Sequence, residues 1–331
     1  GLGDVYKRQV KNPVFTTAYI YRALTRTRMG NYDDALQDFR EAIDLRPDLP
    51  DAYYSRGYTR LQNKQYEEAI EDFDKFIFQE NKVTDAYIGR GTAYLYLKDT
   101  VRALENFDQA IRTNRENPNG YYQRGTLLLQ KEEYARAEAD FDMSIRCDST
   151  FLPPYFNRAV VYSNTNRPMQ ALADFDRVLQ LDSTNSFTYF NRAILRTQIG
   201  DYNRALDDFD RVALYSPGNV QVYYLRAMLK TRLGDLEGAE RDYTRAIELY
   251  PDFANAYLNR SALRYALHNP KAAKRDEEIA QRKIAEYKSH LKDSTYSIYA
   301  DTTQRMDKLL AFDNQFTNNY FDRISEQPSL G

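Results

Sequence analysis

The sequence predicts an all-α solenoid built from eight stacked helix pairs. Alanine recurs every 34 residues without interruption, and tyrosine recurs with the same period. A period of this length is typical of a repeat array. Each of the first seven alanines is followed four positions later by an aromatic residue, and spacing by four marks a helical stripe rather than a strand. The recurring alanines are Ala35, Ala69, Ala103, Ala137, Ala171, Ala205, Ala239 and Ala273.

The period divides the chain into eight repeats and flanking segments. The repeats begin at residues 16, 50, 84, 118, 152, 186, 220 and 254, and the array, residues 16–291, ends in an extended capping helix. Residues 1–9 are out of phase and are predicted to be a non-native sequence artefact. Residues 10–15 are predicted to be the remnant of a preceding repeat, because Pro13 is in phase with Pro47. Residues 292–331 form a tail with a predicted helix over 301–324.

Within each repeat, two positions predict a first helix that packs closely on its neighbours. A residue's place is counted here from the first residue of its repeat. The fourth place is always tyrosine, and the eighth is always alanine, glycine or serine. These places share a helical face, where a small residue allows close approach. Glycine followed by a polar residue then ends some first helices, as at Gly30-Asn31, Gly200-Asp201 and Gly234-Asp235.

A charge pattern predicts a ladder of ion pairs between the two helices of each repeat. The seventh place is arginine in all eight repeats, and the twenty-third is aspartate in seven and Asn106 in the third. A guanidinium offers a rigid fork to a carboxylate. The alternative is a basic stripe that binds an anionic ligand. The arginines are Arg22, Arg56, Arg90, Arg124, Arg158, Arg192, Arg226 and Arg260.

These features together resemble the tetratricopeptide repeat family over roughly residues 10–291. The resemblance implies a right-handed superhelix of antiparallel helix pairs, in which the first helices line a concave groove and the second helices face outward. Arginine at the seventh place departs from the leucine usual in the family. The out-of-phase start suggests a fragment of a longer protein from a bacterial or metagenomic sequence.

The two ends of the array are expected to differ. In the last repeat Glu277 and Gln281 replace apolar residues of the second helix, as a terminal cap requires. No such cap precedes repeat 1, so we expect an exposed apolar edge around Tyr19, Ala23 and Tyr32 that could support self-association. The tail helix is expected either to pack on the last repeat or to dock on a partner.

Composition argues against several other functions. The net charge of -2 disfavours nucleic-acid binding, and no apolar run is long enough to span a membrane. The only cysteine is Cys147, and the two histidines, His268 and His290, are too far apart in the array to converge. No glycine-rich phosphate loop is present. We therefore expect no catalytic site, metal or cofactor. The sequence leaves the compartment open between cytoplasm and periplasm.

The predicted function is a protein-interaction scaffold that binds a partner peptide or helix in the concave groove. Aromatic rings beside amides suit an extended peptide. The alternative for each ring is that it packs against the adjacent repeat. Two other functions stay open: a substrate-recruiting arm of a larger enzyme, and a self-associating structural protein. The candidate groove residues are Tyr54, Tyr58, Tyr122, Phe156, Asn157, Phe190, Asn191 and Tyr224.

Overall fold

The computed structural model describes residues 13–289, and this part of the chain contains sixteen α-helices and no strand. The all-α prediction is confirmed, with two helices in each of the eight predicted repeats. The helices are Pro13–Arg28, Tyr32–Leu45, Pro50–Gln62, Tyr66–Gln79, Thr84–Tyr96, Thr100–Thr113, Pro118–Gln130, Tyr134–Cys147, Leu152–Asn164, Pro168–Leu181, Ser186–Gln198, Tyr202–Tyr215, Val220–Leu233, Leu236–Leu249, Ala254–Ala266 and Pro270–Ser289.

The helices belong to two compact units, Gly1–Pro154 and Tyr155–Gly331, divided within the first helix of repeat 5. The first unit holds repeats 1 to 4 and the second holds repeats 5 to 8. The right-handed superhelix stays a prediction. The predicted artefact at 1–9 and the predicted tail helix at 301–324 lie outside the described residues.

The alanine ladder lies in the core of the array. All eight ladder alanines are completely buried. The aromatic residue four positions later is also buried in the seven repeats that carry one, from Phe39 to Tyr243. Because alanine has the smallest apolar side chain, it lets the second helix approach its neighbours, while the ring fills the space beside it. These two recurring positions therefore build the core that the period predicted.

Glycine at the eighth place leaves room for this ring. A Cβ atom on Gly91 would lie 2.7 Å from Cε1 of Phe107, and one on Gly125 would lie 2.9 Å from Cε1 of Phe141. Both distances are too short for ordinary contact. In these two repeats, alanine at the eighth place would clash with the ring unless the ring moved. Glycine therefore allows the second helix to lie closer to the first.

The turn between the two helices has a left-handed residue in every repeat. The sequence identified it only where it is glycine, at Gly30, Gly200 and Gly234. The same place has positive φ at Lys64, Lys98, Glu132, Asn166 and His268. In repeat 1, the N–H of Gly30 donates to the carbonyl of Thr27 at 3.0 Å, and that of Asn31 to Arg26 at 2.9 Å. These bonds satisfy carbonyls at the helix end, so the backbone geometry is retained even without glycine.

Replacing Lys64 with glycine is expected to stabilise the protein. Lys64 has φ 61°, and this left-handed conformation costs an L-residue about 1–2 kcal/mol. Glycine avoids that cost, but it loses more backbone entropy on folding, which offsets part of the gain. We expect Lys64→Gly to raise the free energy of unfolding by roughly 0.5–1 kcal/mol, measured by urea denaturation. The reciprocal control, Gly200→Lys, should lower it, since Gly200 has φ 86°. A destabilised Lys64→Gly variant would contradict this account of the turn.

In repeats 2, 3, 6 and 7 the recurring tyrosine bonds to the loop before its first helix. The hydroxyl of Tyr53 donates to the carbonyl of Pro47 at 3.2 Å, and that of Tyr223 donates to Pro217 at the same distance. The rings also contact the arginine three residues later, with the Arg56 guanidinium carbon 5.6 Å from the Tyr53 ring centre. Tyrosine at this place thus joins the inter-repeat loop, the first helix and the ion-pair ladder.

The predicted apolar edge at repeat 1 is only partly correct. Ala23 is fully buried, because it packs with Ala35 and Phe39 in the core of its own repeat. Tyr19 and Tyr32 are half-buried. The exposed rings of the first helix are instead Phe15 and Tyr21. At the other end Gln281 is exposed and Glu277 half-exposed, in agreement with the predicted polar cap.

Candidate functional site

The arginine–aspartate ladder is present in the structure. Arg56 donates from Nε and Nη2 to the two carboxylate oxygens of Asp72, at 2.9 and 2.7 Å. The same bidentate bond joins the seventh and twenty-third places in every repeat except the third. In repeat 3, Nε of Arg90 donates to Oδ1 of Asn106 at 2.7 Å. The prediction that these residues join the two helices is therefore confirmed.

The ladder also joins neighbouring repeats, a contact that the sequence pattern did not lead us to expect. The third arginine nitrogen, Nη1, reaches the twenty-fifth place of the preceding repeat. This nitrogen donates to an aspartate at 2.5–2.8 Å in four pairs: Arg90 to Asp74, Arg124 to Asp108, Arg192 to Asp176, and Arg226 to Asp210. In the last repeat Nη1 of Arg260 bonds to the Thr244 hydroxyl at 2.9 Å. Aspartate recurs at the twenty-fifth place in the sequence, and this recurrence could have indicated the contact between repeats.

Several ladder carboxylates carry a second cation. Arg60 donates to Asp72 at 2.6 Å, Arg196 to Asp208 at 2.7 Å, and Arg264 to Asp276 at 2.9 Å. Each of these cations lies at the eleventh place, one turn after the ladder arginine. A single buried carboxylate thus holds two positions of the first helix against the second.

Burial and hydrogen bonding oppose one another in these groups. Burial lowers the pKa of the Arg192 guanidinium, but its bonds to Asp208 and Asp176 outweigh burial and raise that pKa. At the more exposed end, the hydrogen bond from Arg22 holds the pKa of Asp38 below its ordinary value. Both shifts favour the charged form of the group concerned, whereas burial raises the pKa of Asp208, the partner of Arg192, and so opposes its charged form.

Six of the eight predicted groove residues are buried: Tyr122, Phe156, Asn157, Phe190, Asn191 and Tyr224. The expectation that they form an open surface is wrong for the described structure. The rings contact the recurring aromatic residue of the second helix, with centroids of Phe156 and Phe175 5.3 Å apart and of Phe190 and Phe209 6.3 Å apart. Packing inside the array, the alternative left open by the sequence, is therefore their structural role.

The buried amides are similarly engaged inside the array. Nδ2 of Asn191 donates to the carbonyl of Phe187 at 2.8 Å. At the corresponding place in repeat 8, Nδ2 of Asn259 donates to the hydroxyl of Tyr224 at 3.1 Å, which joins two successive repeats. An amide that bonds within the array has less capacity to pair with a peptide backbone.

The first helices of repeats 1 to 3 carry four tyrosines that are at least partly exposed. Tyr54 and Tyr58, the remaining two predicted residues, are half-buried with ring centroids 5.0 Å apart. Tyr21, at the sixth place of repeat 1, is 68 % exposed. Tyr96 is half-exposed at the thirteenth place of repeat 3, and its ring stacks on Tyr66 at 4.8 Å. We call Tyr21, Tyr54, Tyr58 and Tyr96 the tyrosine stripe.

The tyrosine stripe follows the helical register. The sixth, ninth and thirteenth places lie on one side of an α-helix, since they are three and four residues apart. The fifth place, occupied by Tyr54, lies at the edge of the same side. Tyr58 is held in position because its hydroxyl donates to the carbonyl of Asp85 in the next repeat at 2.6 Å. This bond restricts the orientation of the Tyr58 ring.

The described residues contain no cluster of three or more potential metal-ligating side chains. Cys147 is half-buried, and burial raises the pKa of its thiol, which disfavours the reactive thiolate. His268 occupies the left-handed turn position of repeat 8. None of the helices from Pro13 to Ser289 is long and apolar enough to cross a membrane.

Family comparisons agree with this architecture. Sequence models described as tetratricopeptide repeats match residues 24–64, 88–150 and 220–253. The chain belongs to the tetratricopeptide repeat family. Residues 155–213 of this repeat protein also match a family described as anaphase-promoting complex subunit 5. A comparison with curated proteins found no match.

Solved structures share the fold of this tetratricopeptide repeat protein. A tetratricopeptide repeat protein from Parabacteroides merdae matches with a TM-score of 0.54 and 18% identity, over 80% of this chain and 98% of that one. Pseudomonas aeruginosa pilF matches at 0.55 and 20% identity, over 61% and 92%. The Cut9–Hcn1 hetero-tetramer of APC/C matches at 0.51 and 11% identity, over 82% and 51%.

Proposed function

We propose that this protein is an interaction scaffold that binds a peptide segment of a partner protein along the tyrosine stripe. The observation that supports this most directly is that Tyr21 is exposed, and Tyr54, Tyr58 and Tyr96 partly exposed, on successive first helices. Tyrosine supplies a large contact area and a polar hydroxyl at low conformational cost, and it is enriched where proteins bind one another.

The chemistry of the stripe favours a segment with apolar or aromatic side chains. The fifth, sixth and ninth places of repeats 1 to 3 carry no charged residue. A ligand there would gain affinity from ring contacts and from hydrogen bonds to Ser55 and Thr92, which are half-exposed. Binding would be noncovalent, and no cofactor takes part. The Cut9–Hcn1 structure is a hetero-tetramer, which supports a role for this fold in protein assembly.

The proposal is tested with peptides selected from a display library against the full chain. Tyr21→Ser is expected to weaken their binding at least about tenfold, because exposed aromatic anchors contribute most of the energy in such interfaces. Its thermal midpoint should stay unchanged, since Tyr21 is largely exposed. Affinity is measured by fluorescence anisotropy and the midpoint by circular dichroism.

Phe78→Ser is the matched control, because Phe78 is an exposed ring on a second helix and lies outside the stripe. It should leave affinity unchanged. Equal binding by wild type and Tyr21→Ser, or greater loss in Phe78→Ser, would overturn the proposal. Sedimentation of wild type and Tyr21→Ser distinguishes peptide binding from self-association through the same ring, since only self-association makes the mass depend on concentration.

A further inference from the structure

The junction between repeats 1 and 2 lacks the hydrogen-bond acceptor that the ladder arginine meets at other junctions. At the other described junctions inside the two units, Nη1 of the ladder arginine meets an aspartate or threonine oxygen from the preceding repeat. Between repeats 1 and 2 the corresponding twenty-fifth place is Arg40. Arg56 therefore donates to Asp72 from Nε and Nη2, while its Nη1 bonds to no group among the described residues.

The unfilled place opens into a depression of about 310 Å³ at this junction. Its lining includes both Arg40 and Arg56, so the two guanidiniums face a shared space. Arg40 is exposed and makes no hydrogen bond or ion pair with described residues, whereas the Arg56 side chain is only 10% exposed. Nη1 of Arg56 has no acceptor among the described residues, and Arg56 belongs to the lining of the depression, so this nitrogen can donate to an acceptor that enters there.

The surrounding charges determine which acceptor fits. Arg60 also lines the depression, but it already bonds to Asp72 and to the carbonyl of Glu68. Asp33 and Glu68 place carboxylates on the lining, and Gln65 and Leu36 complete it. With acids on the lining, a densely charged polyanion would be repelled, whereas one carboxylate aimed at Arg40 and Arg56 would be attracted.

The other junctions show the geometry that such a carboxylate would adopt. There, Oδ1 of an aspartate lies 2.5–2.8 Å from Nη1 of the arginine. We propose that Arg40 and Arg56 bind one Asp or Glu side chain of a partner protein, which takes the place of the missing aspartate. This site is distinct from the tyrosine stripe, because the fifth and seventh places differ by about 200° around a helix.

The test measures binding of one carboxylate to the full chain. N-acetylglutamate amide is titrated while the Nε–Hε signal of Arg56 is followed by NMR, with N-acetylglutamine amide as the neutral match. We expect a saturable shift with the glutamate compound alone. Arg40→Asp should weaken this binding at least about tenfold, because its own carboxylate would occupy the position and remove a charge-assisted bond. Arg40→Gln should weaken it similarly without filling the position.

Arg211→Asp is the control, since it makes the same charge change on an exposed second-helix residue of repeat 6. It should bind the glutamate compound like wild type. No saturable shift in wild type, equal shifts with the glutamine compound, or unchanged binding in both Arg40 variants would overturn the proposal. Tighter saturation by inorganic phosphate would overturn the choice of a carboxylate. Tyr21→Ser should leave this titration unaffected, so the two proposals can fail separately.

Discussion

Asp72→Ala is expected to lower the free energy of unfolding by about 3–5 kcal/mol, the usual cost of leaving a buried charge without its partner. Asp72 is completely buried and accepts bonds from both Arg56 and Arg60. Its removal leaves two guanidiniums in a poorly hydrated region. Urea denaturation followed by circular dichroism measures the change.

Asp74→Ala is the matched control, because Asp74 lies on the same helix, pairs with Arg90, and is 54% exposed. It should cost about 1 kcal/mol or less, as exposed ion pairs do. Asp72→Asn should lie between the two alanine variants, since Asn106 already accepts the ladder bond in repeat 3. Equal losses from Asp72→Ala and Asp74→Ala would show that burial does not determine the ladder's contribution.

Phe73→Ala is expected to cost about 3–5 kcal/mol, the range for removing a buried phenylalanine when the cavity cannot collapse. The Phe73 ring is fully buried, and its centroid lies 5.1 Å from that of Tyr58 in an edge-to-face contact. Two glycines, Gly57 and Gly89, face the ring closely and have no side chains to fill the space. The midpoint of urea denaturation should fall accordingly.

Phe78→Ala tests the same chemical change without burial. Phe78 belongs to the same helix but is 91% exposed, and its replacement should change stability by no more than about 0.5 kcal/mol. A loss comparable to that of Phe73→Ala would mean that burial of the ring does not determine the cost of its removal. Because Phe73 also contacts Tyr58, peptide binding by Phe73→Ala should be measured without denaturant and at a temperature where the variant is folded.

Much of the local architecture was predictable because each repeat is an independent copy of the same physical pattern. The 34-residue period located the helix pairs, and the matched Arg and Asp places predicted the ladder. The left-handed turn was predictable only at the three glycines. At Lys64 and His268 the backbone hydrogen bonds of the turn accompany the same geometry, against the residue's own preference.

The fold class and the pairing within each repeat were predictable from residue spacing, because both depend on positions along one or two helices. Which rings are accessible became clear only from the packing of the helices. Phe156 and Tyr58 both occupy first-helix places suited to a groove, yet one is fully buried and the other half-buried. The packing also showed that the twenty-fifth place pairs with the arginine of the next repeat, so that Arg56, which follows Arg40, lacks the acceptor that Arg90 has in Asp74. Accessibility and ion pairing between repeats depend on distances between helices, and a linear pattern does not contain those distances.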